Sequence, residues 1–222
     1  DYPHYVGVPA MNEVGKQLAS GLNLRLETTV CSLSRVGERW RLFGDRQQRL
    51  GDFDWVIVTA PAAQAADLLA STPIASAAAD VRMHACYALL LGFDQSADLP
   101  WQAAAVRDAD ISWISVNNSK PGRSNPMTLV VHSTNAWADL HLDEDSEVVQ
   151  EHLVGELARV LAVDVSGAAV TRLHRWRYAN LDRHAIGDNV VNGRAGAGLF
   201  DNLLQFLRGS ISLDLEGHTD VP

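Results

Sequence analysis

The sequence predicts an α+β fold, and three stretches support that prediction. Residues 54–69, DWVIVTAPAAQAADLL, join an apolar strand through a short turn to an alanine-rich helix, which is a local pattern of α/β proteins. Between residues 81 and 133, long apolar runs alternate with turns, which predicts an antiparallel sheet buried on at least one face. Residues 143–162 carry an apolar stripe at helical spacing and acidic residues in the first turn, so we expect a helix that covers this sheet.

The remaining elements follow from the same periodicities. A helix is predicted over residues 9–22, and its apolar side chains are Met11, Val14, Leu18 and Leu22. Residues 22–30 alternate apolar and polar side chains, which predicts a half-buried strand. Short meander strands are expected over residues 39–55, a strand over 169–179 and a short amphipathic helix over 199–208.

Bulk composition narrows the class of partner. The chain of 222 residues has a formal net charge of -9, which argues against nucleic acid and anionic membranes because phosphate binding needs a basic face. No apolar run approaches the roughly 18 residues of a membrane helix. Cys31 and Cys86 form neither a disulfide framework nor a metal-ligand spacing, which favours a reducing compartment, so we expect a cytoplasmic protein.

The histidines do not predict a metal site. Eight histidines occur, but none falls at the spacing that metal ligands take. His132 and His174 lie in apolar stretches, and we interpret them as ordinary side chains of the sheet. No metal is therefore expected.

The stretch NNSKPGR, residues 117–123, is the most informative candidate site. Lys120 and Arg123 flank a Pro-Gly turn between two apolar strands, with Asn117 at the start. Two cations at one edge of a sheet would attract an anionic or dinucleotide substrate. A solvated hairpin tip explains the same residues, and both interpretations stay open. Trp113 and Trp176 could stack a flat ring, although core packing is the simpler interpretation of both.

Several stretches together resemble the renalase-like branch of the FAD-dependent amine oxidoreductases. They are YVGVPAMNEVGKQLA, DWVIVTAPAAQAADLL, DISWISVNNSKPGR, VVHSTNAWADLHLDEDSEVVQEHLVGEL and LHRWRYA. They run in order over roughly residues 5 to 179. NNSKPGR together with HSTNAW is specific to this branch rather than generic to flavoproteins.

The resemblance implies an activity, a cofactor and a set of site residues. It implies FAD, and oxidation of a reduced nicotinamide-type dinucleotide or an amine with oxygen as acceptor. The cofactor-binding residues would be Thr29, Val30, Thr59, Ala60, Pro61, Gly187, Asp188, Gly193, Arg194, Gly196 and Ala197. The substrate-binding residues would be Asn117, Lys120, Arg123, Trp113 and Trp176.

The resemblance also implies how the chain is organised. The GxGxxG fingerprint of such proteins does not occur in the chain, and the family pattern places it upstream of Asp1. The chain as given is therefore expected to hold FAD weakly or not at all. Residues 1–80, with 164–222 returning to them, would be the remnant of an α/β FAD-binding domain. Residues 81–163 would be an antiparallel-sheet substrate domain.

Two hypotheses about function remain at this point. The first is a flavin-dependent oxidase that acts on a small-molecule substrate. The second is a non-catalytic domain that binds a ligand or partner without FAD. The sequence does not determine the oligomeric state.

Overall fold

The computed structural model describes residues 5–94, 99–123 and 126–182 of the chain. These residues form an α+β fold, as predicted, with two antiparallel sheets. In chain order the elements are α1 (Asn12–Leu18), β1 (Ser32–Val36), β2 (Arg39–Phe43), β3 (Arg49–Phe53), α2 (Ala62–Leu68), α3 (Ala75–Ala79), β4 (Met83–Phe93), β5 (Ala103–Ala105), β6 (Ile111–Val116), β7 (Met127–Ser133), α4 (Asn135–Leu140), α5 (Ser146–Leu161) and β8 (Val170–Leu181).

The described residues divide into two compact units. Residues 5–27 and 83–180 form the first, which we call the sheet unit, and residues 28–82 with 181–182 form the second, which we call the meander unit. These bounds differ from the predicted division at residues 80 and 163. The assignment of a cofactor side and a substrate side to parts of the chain stays a prediction.

The meander unit has a small core. Its sheet has the order β1-β2-β3, with neighbouring strands antiparallel. Strands β2 and β3 confirm the meander predicted over residues 39–55, whereas β1 was not predicted. The alanine-rich helix is also confirmed as α2. The buried core residues are Leu33, Val58, Ala65 and Leu69. The unit therefore buries few large side chains.

The sheet unit has a larger core on one face of a five-stranded sheet. The strand order is β5-β6-β7-β4-β8. Buried side chains on this face include Leu89, Leu91, Ile114, Leu129 and Val131. The stripe of Val149, Leu153 and Leu157 on α5 belongs to the same core, which confirms the predicted covering helix. Asp145 begins this helix, because its side chain accepts a hydrogen bond from the Glu147 N–H at 2.8 Å.

Polar side chains complete the start of β4, where the ladder to β7 ends. The Asp139 carboxylate accepts the N–H of Ala85 at 2.7 Å, and the Asn135 amide donates to the Ala85 carbonyl at 2.6 Å. The hydroxyl of Ser133 accepts the N–H of Tyr87 at 2.9 Å. These side chains take the place of a neighbouring strand, so the backbone N–H and C=O groups at the buried start of β4 have hydrogen-bond partners.

Two predicted strands are not strands in the structure. Residues 22–30 and Trp55–Val58 belong to neither of the two sheets of the described residues. Trp55 is 62% exposed and Ile57 is 77% exposed. Leu22, Leu24 and Leu26 are also exposed, so the predicted half-buried face of residues 22–30 is wrong. Alternation of residue type does not by itself make a strand, because a strand also needs a neighbouring strand in a ladder. Thr29 and Val30 consequently lie in an irregular segment and do not end a strand.

Helix α1 is shorter than predicted and has its apolar side chains exposed. It spans seven residues and has no buried residue. Met11, Val14 and Leu18 are all exposed. The predicted helical spacing was correct, but the apolar side chains are not buried, because burial depends on what packs against a helix.

None of the helices in the described part of the chain has the length and apolarity that crossing a bilayer requires.

Candidate functional site

The side of the five-stranded sheet opposite the core is the candidate site, and we call it the second face. Strand pairing places its side chains side by side. The residues on this face are Trp113 and Ser115 on β6, Thr128, Val130 and His132 on β7, and Ala88, Leu90 and Gly92 on β4. Leu90 is 39% exposed on a central strand, whereas Leu89 on the core face is 0% exposed. A half-exposed face of mixed apolar and polar side chains suits contact with a ligand.

Lys120 is folded back onto the second face. Its Nζ donates to the hydroxyl of Ser115 at 3.4 Å and to Oδ1 of Asn117 at 3.3 Å. Partial burial lowers the pKa of Lys120 from its ordinary value, and the nearby charge of Arg123 lowers it further. The exposed tip of the loop is formed by residues 121–122, so a solvated tip does not describe Lys120.

Arg123 contacts different groups from Lys120. Its Nη1 donates to Oδ1 of Asn117, the same oxygen that accepts from Lys120, and its Nε donates to the carbonyl of Pro9 at 3.3 Å. Gly122 has a φ of 71°, and a Cβ added there would come within 2.6 Å of Val8. Glycine is therefore required both for the turn and for the close approach of the loop to the N-terminal segment.

His132 lies at the centre of the second face, opposite Trp113 on β6 and Ala88 on β4. Burial lowers the pKa of His132, and the positive charge of Lys120 lowers it further, so its imidazole is neutral at pH 7. A neutral imidazole offers one hydrogen-bond donor and one acceptor. Sequence reasoning missed this residue. The alternation in MTLVVHS was the available signal, because it places His132 on the side opposite the buried residues.

The two predicted ring-stacking residues lie on the sheet unit. Trp113 is half-buried on the second face. Trp176 on β8 is 55% exposed and stands edge-on to His174, with ring centroids 4.3 Å apart. A Cβ added at Gly92 would lie 3.6 Å from Val170, so alternation along β8 places Trp176 on the second face as well. Its exposure shows that Trp176 is not a core residue.

The predicted cofactor residues of the meander unit lie in two irregular segments. Thr59, Ala60 and Pro61 form the turn before α2, as predicted, and Thr29 and Val30 precede β1. The side chains of Thr29 and Thr59 are exposed and form no hydrogen bond within the described ranges. The backbone of residues 55–59 is likewise without a hydrogen bond there.

These groups fit one part of a flavin cofactor. Uncharged hydroxyl, N–H and C=O groups suit the hydrogen-bonding edge of an isoalloxazine ring. A pyrophosphate instead requires cations or a helix N-terminus, and α2 spans only seven residues. The other predicted cofactor residues lie outside the described residues; they are Gly187, Asp188, Gly193, Arg194, Gly196 and Ala197.

The fold defines an α+β protein with a half-exposed face on its five-stranded sheet. A sequence model of the family described as flavin containing amine oxidoreductase matches residues 2–187. The chain belongs to this family, and FAD is the cofactor that the family implies.

Solved structures share the fold at low sequence identity. The chain is similar to a protein from Exiguobacterium sp. 255-15 described as a protoporphyrinogen oxidase, with a TM-score of 0.63 and 19% identity over 90% of this chain and 43% of that chain. It is also similar to a putrescine oxidase (TM-score 0.58, 14% identity, 74% of this chain and 38% of that chain). A third similar structure is cyclohexylamine oxidase from Brevibacterium oxydans IH-35A (TM-score 0.53, 14% identity, 76% and 38%). The chain therefore spans less than half the length of each of these proteins.

Proposed function

We propose that the chain is part of a renalase-like flavin-dependent oxidase whose substrate binds against the second face. The proposed substrate is a reduced nicotinamide-type dinucleotide rather than an amine, and oxygen is the proposed acceptor. The position of the Lys120 ammonium is the observation that supports this choice. A dinucleotide carries a pyrophosphate and an amine substrate carries a cation, so a positive group on the binding face attracts the first and repels the second.

The other residues of the second face have roles that suit the same substrate. Trp113 and Trp176 offer flat apolar surfaces against which a nicotinamide ring could stack. The neutral imidazole of His132 can donate or accept one hydrogen bond without adding charge. These residues bind and orient the substrate and exclude water from it.

The cofactor would be held by the uncharged groups of the meander unit, at Thr29, Val30 and residues 59–61. The redox chemistry would come from the flavin when bound, which accepts a hydride from the substrate and is reoxidised by oxygen with release of hydrogen peroxide. No side chain is required as a strong acid or base. Because Cys31 and Cys86 are both free thiols, we propose the cytoplasm as the compartment.

The proposal is tested by measuring hydrogen peroxide release by a full-length protein that contains this chain, supplied with FAD, with a dihydronicotinamide dinucleotide or a primary amine as substrate. We expect turnover of the dinucleotide. We expect Lys120→Met to lower kcat/KM for it by about tenfold at low salt, because one charge-assisted contact is lost. The loss should shrink as salt rises. Lys16→Met is the matched control, because within the described residues Lys16 pairs with Glu13 on the exposed surface of α1 and not with the second face.

Two outcomes would contradict the proposal. Faster oxidation of the amine than of the dinucleotide would reverse the substrate assignment. Binding of the dinucleotide without any peroxide release at saturating FAD would favour the non-catalytic ligand-binding domain.

A further inference from the structure

Lysine is rare in this chain. Only Lys16 and Lys120 occur among its 18 basic residues, and all the others are arginine. Lys16 forms an exposed ion pair with Glu13 three residues earlier on α1. Lys120 instead lies half-buried against the second face. A lysine differs from an arginine in being a compact charge with three donors on a flexible stem, so its environment decides where that charge points.

Three side chains fix the direction of the Lys120 ammonium. Ser115 is 5% exposed, and its hydroxyl oxygen lies 3.4 Å from the Lys120 Nζ. Oδ1 of Asn117 accepts a second hydrogen bond from the same ammonium. Arg123 donates to that Oδ1 as well, so it holds the Asn117 side chain in the orientation that Lys120 uses.

Neither acceptor neutralises the ammonium. Ser115 and Asn117 are uncharged, and the charged neighbour that acts on Lys120 is a cation, Arg123. An ammonium has three N–H donors, and two of them are occupied by these acceptors. Lys120 therefore combines a charge, a fixed direction and acceptors that carry no negative charge, which leaves its ammonium able to bind an anionic ligand group.

We infer that the second face carries an anion-binding subsite at Lys120, in which Ser115 and Asn117 hold the ammonium and Arg123 is a positioning residue that acts through Asn117. The ligand group is a phosphate, as in the dinucleotide proposed above, and the inference rests on the second face being the substrate face. Arg123 does not contact the ligand. Its guanidinium is committed to Asn117 and to the carbonyl of Pro9.

The experiment uses NMR of the protein labelled with ¹³C-lysine, which gives one side-chain signal for each of the two lysines. Pyrophosphate is the probe, and it is added at constant ionic strength. We expect a saturable shift of the Lys120 signal and none of the Lys16 signal. Equal shifts of both signals, or a Lys120 shift that sodium chloride reproduces, would show general screening and overturn the subsite.

Variants separate positioning from direct contact. Asn117→Ala and Arg123→Gln should each weaken pyrophosphate binding by about tenfold, since the ammonium loses its fixed direction. Arg123→Gln should also raise the pKa of Lys120, because a neighbouring positive charge is removed. That rise follows from the loss of a nearby positive charge alone, so the positioning role is judged from pyrophosphate binding by Asn117→Ala, which keeps the charge of Arg123 in place. Unaltered binding by both variants would show that Lys120 needs no positioning.

This test does not depend on catalysis. Pyrophosphate binding at Lys120 without oxidase activity would leave the subsite in place and contradict the proposed function. Dinucleotide oxidation with no response of Lys120 to pyrophosphate would support the proposed function and contradict the subsite.

Discussion

The two faces of the five-stranded sheet are built from the same strands but have opposite surroundings. On the core face, Leu89 and Leu91 are almost completely buried, and α5 supplies Leu153 and Leu157 to the same core. On the second face, Leu90 lies between them in sequence and is 39% exposed. Polar side chains on the core face form hydrogen bonds with backbone groups that no strand pairs, as the Ser133 hydroxyl does when it accepts from the N–H of Tyr87.

The polar side chains of the second face form contacts of a different kind from those of the core face. Ser115 and Asn117 contact the Lys120 ammonium rather than backbone groups. Removing a group from the core face should therefore cost stability, and removing one from the second face should change ligand binding. Two predictions test this contrast, and two more test the helix that covers the core face.

The largest change in the free energy of unfolding is expected at Leu89, whose neighbour Leu90 lies on the opposite face. Leu89→Ala should lower the free energy of unfolding by about 2–5 kcal/mol, because it leaves a cavity in a packed core. Leu90→Ala should cost less than about 1 kcal/mol, because the side chain already contacts solvent. Urea unfolding of both variants gives the comparison. Equal losses would mean that the second face is packed as tightly as the core.

A pair of serines gives the next largest effect. Ser133→Ala should cost about 1–3 kcal/mol, because the buried N–H of Tyr87 loses its acceptor. Ser115→Ala should change stability by less than about 0.5 kcal/mol, because the Lys120 ammonium can turn to solvent. Urea unfolding measures both. A larger loss of unfolding free energy for Ser115→Ala would mean that its hydroxyl stabilises the fold.

The start of the covering helix gives a smaller effect. Asp145→Ala should lower the free energy of unfolding by about 1 kcal/mol, since the N–H of Glu147 loses its cap. Glu151→Ala, at an exposed position within α5, is the control and should be close to neutral. Thermal unfolding monitored by circular dichroism measures the difference. If the control lost as much as Asp145→Ala, the cap would not be the cause.

The smallest expected change in stability is one that depends on pH, at Glu156. The Arg159 guanidinium, with the N–H of Asp110, lowers the pKa of Glu156 from 4.5 to about 2. Because the folded-state pKa is depressed, Glu156 stabilises the fold above pH 4.5, and this contribution is lost as pH falls toward 2. Glu156→Gln should therefore flatten the stability profile below pH 4.5, measured by unfolding at several pH values. Glu151→Gln is the matched control, and an identical profile for both variants would contradict the assignment.

Local pattern in the sequence was enough to predict much of the fold. Helix α5, its buried stripe and its acidic start follow from a spacing of three and four residues. Strands β2 and β3 and the hairpin of β6 and β7 follow from short apolar runs separated by turns. The loop at residues 117–123 was recognised as a candidate site because charge and turn residues are visible without a structure.

Pairing and burial could not be predicted in the same way. Trp55–Val58 has the composition of a strand, yet it pairs with no strand of the described ranges, because a ladder depends on residues distant in sequence. Helix α1 has an apolar stripe that nothing in the structure buries. Periodicity specifies which residues share a side, while the neighbouring elements decide whether that side is covered.

The candidate site shows the same division between sequence and tertiary structure. The sequence alone determined that the chain is an α+β protein with two cations near one sheet edge, and it carried the resemblance to FAD-dependent amine oxidoreductases. Only the tertiary structure separated Lys120, which is held on the second face, from Arg123, which is bound to Asn117 and Pro9. It also brought His132 beside Trp113. The reason is physical: residue type and spacing fix local conformation and charge, whereas burial, pKa and the direction of a side chain depend on atoms that folding brings together.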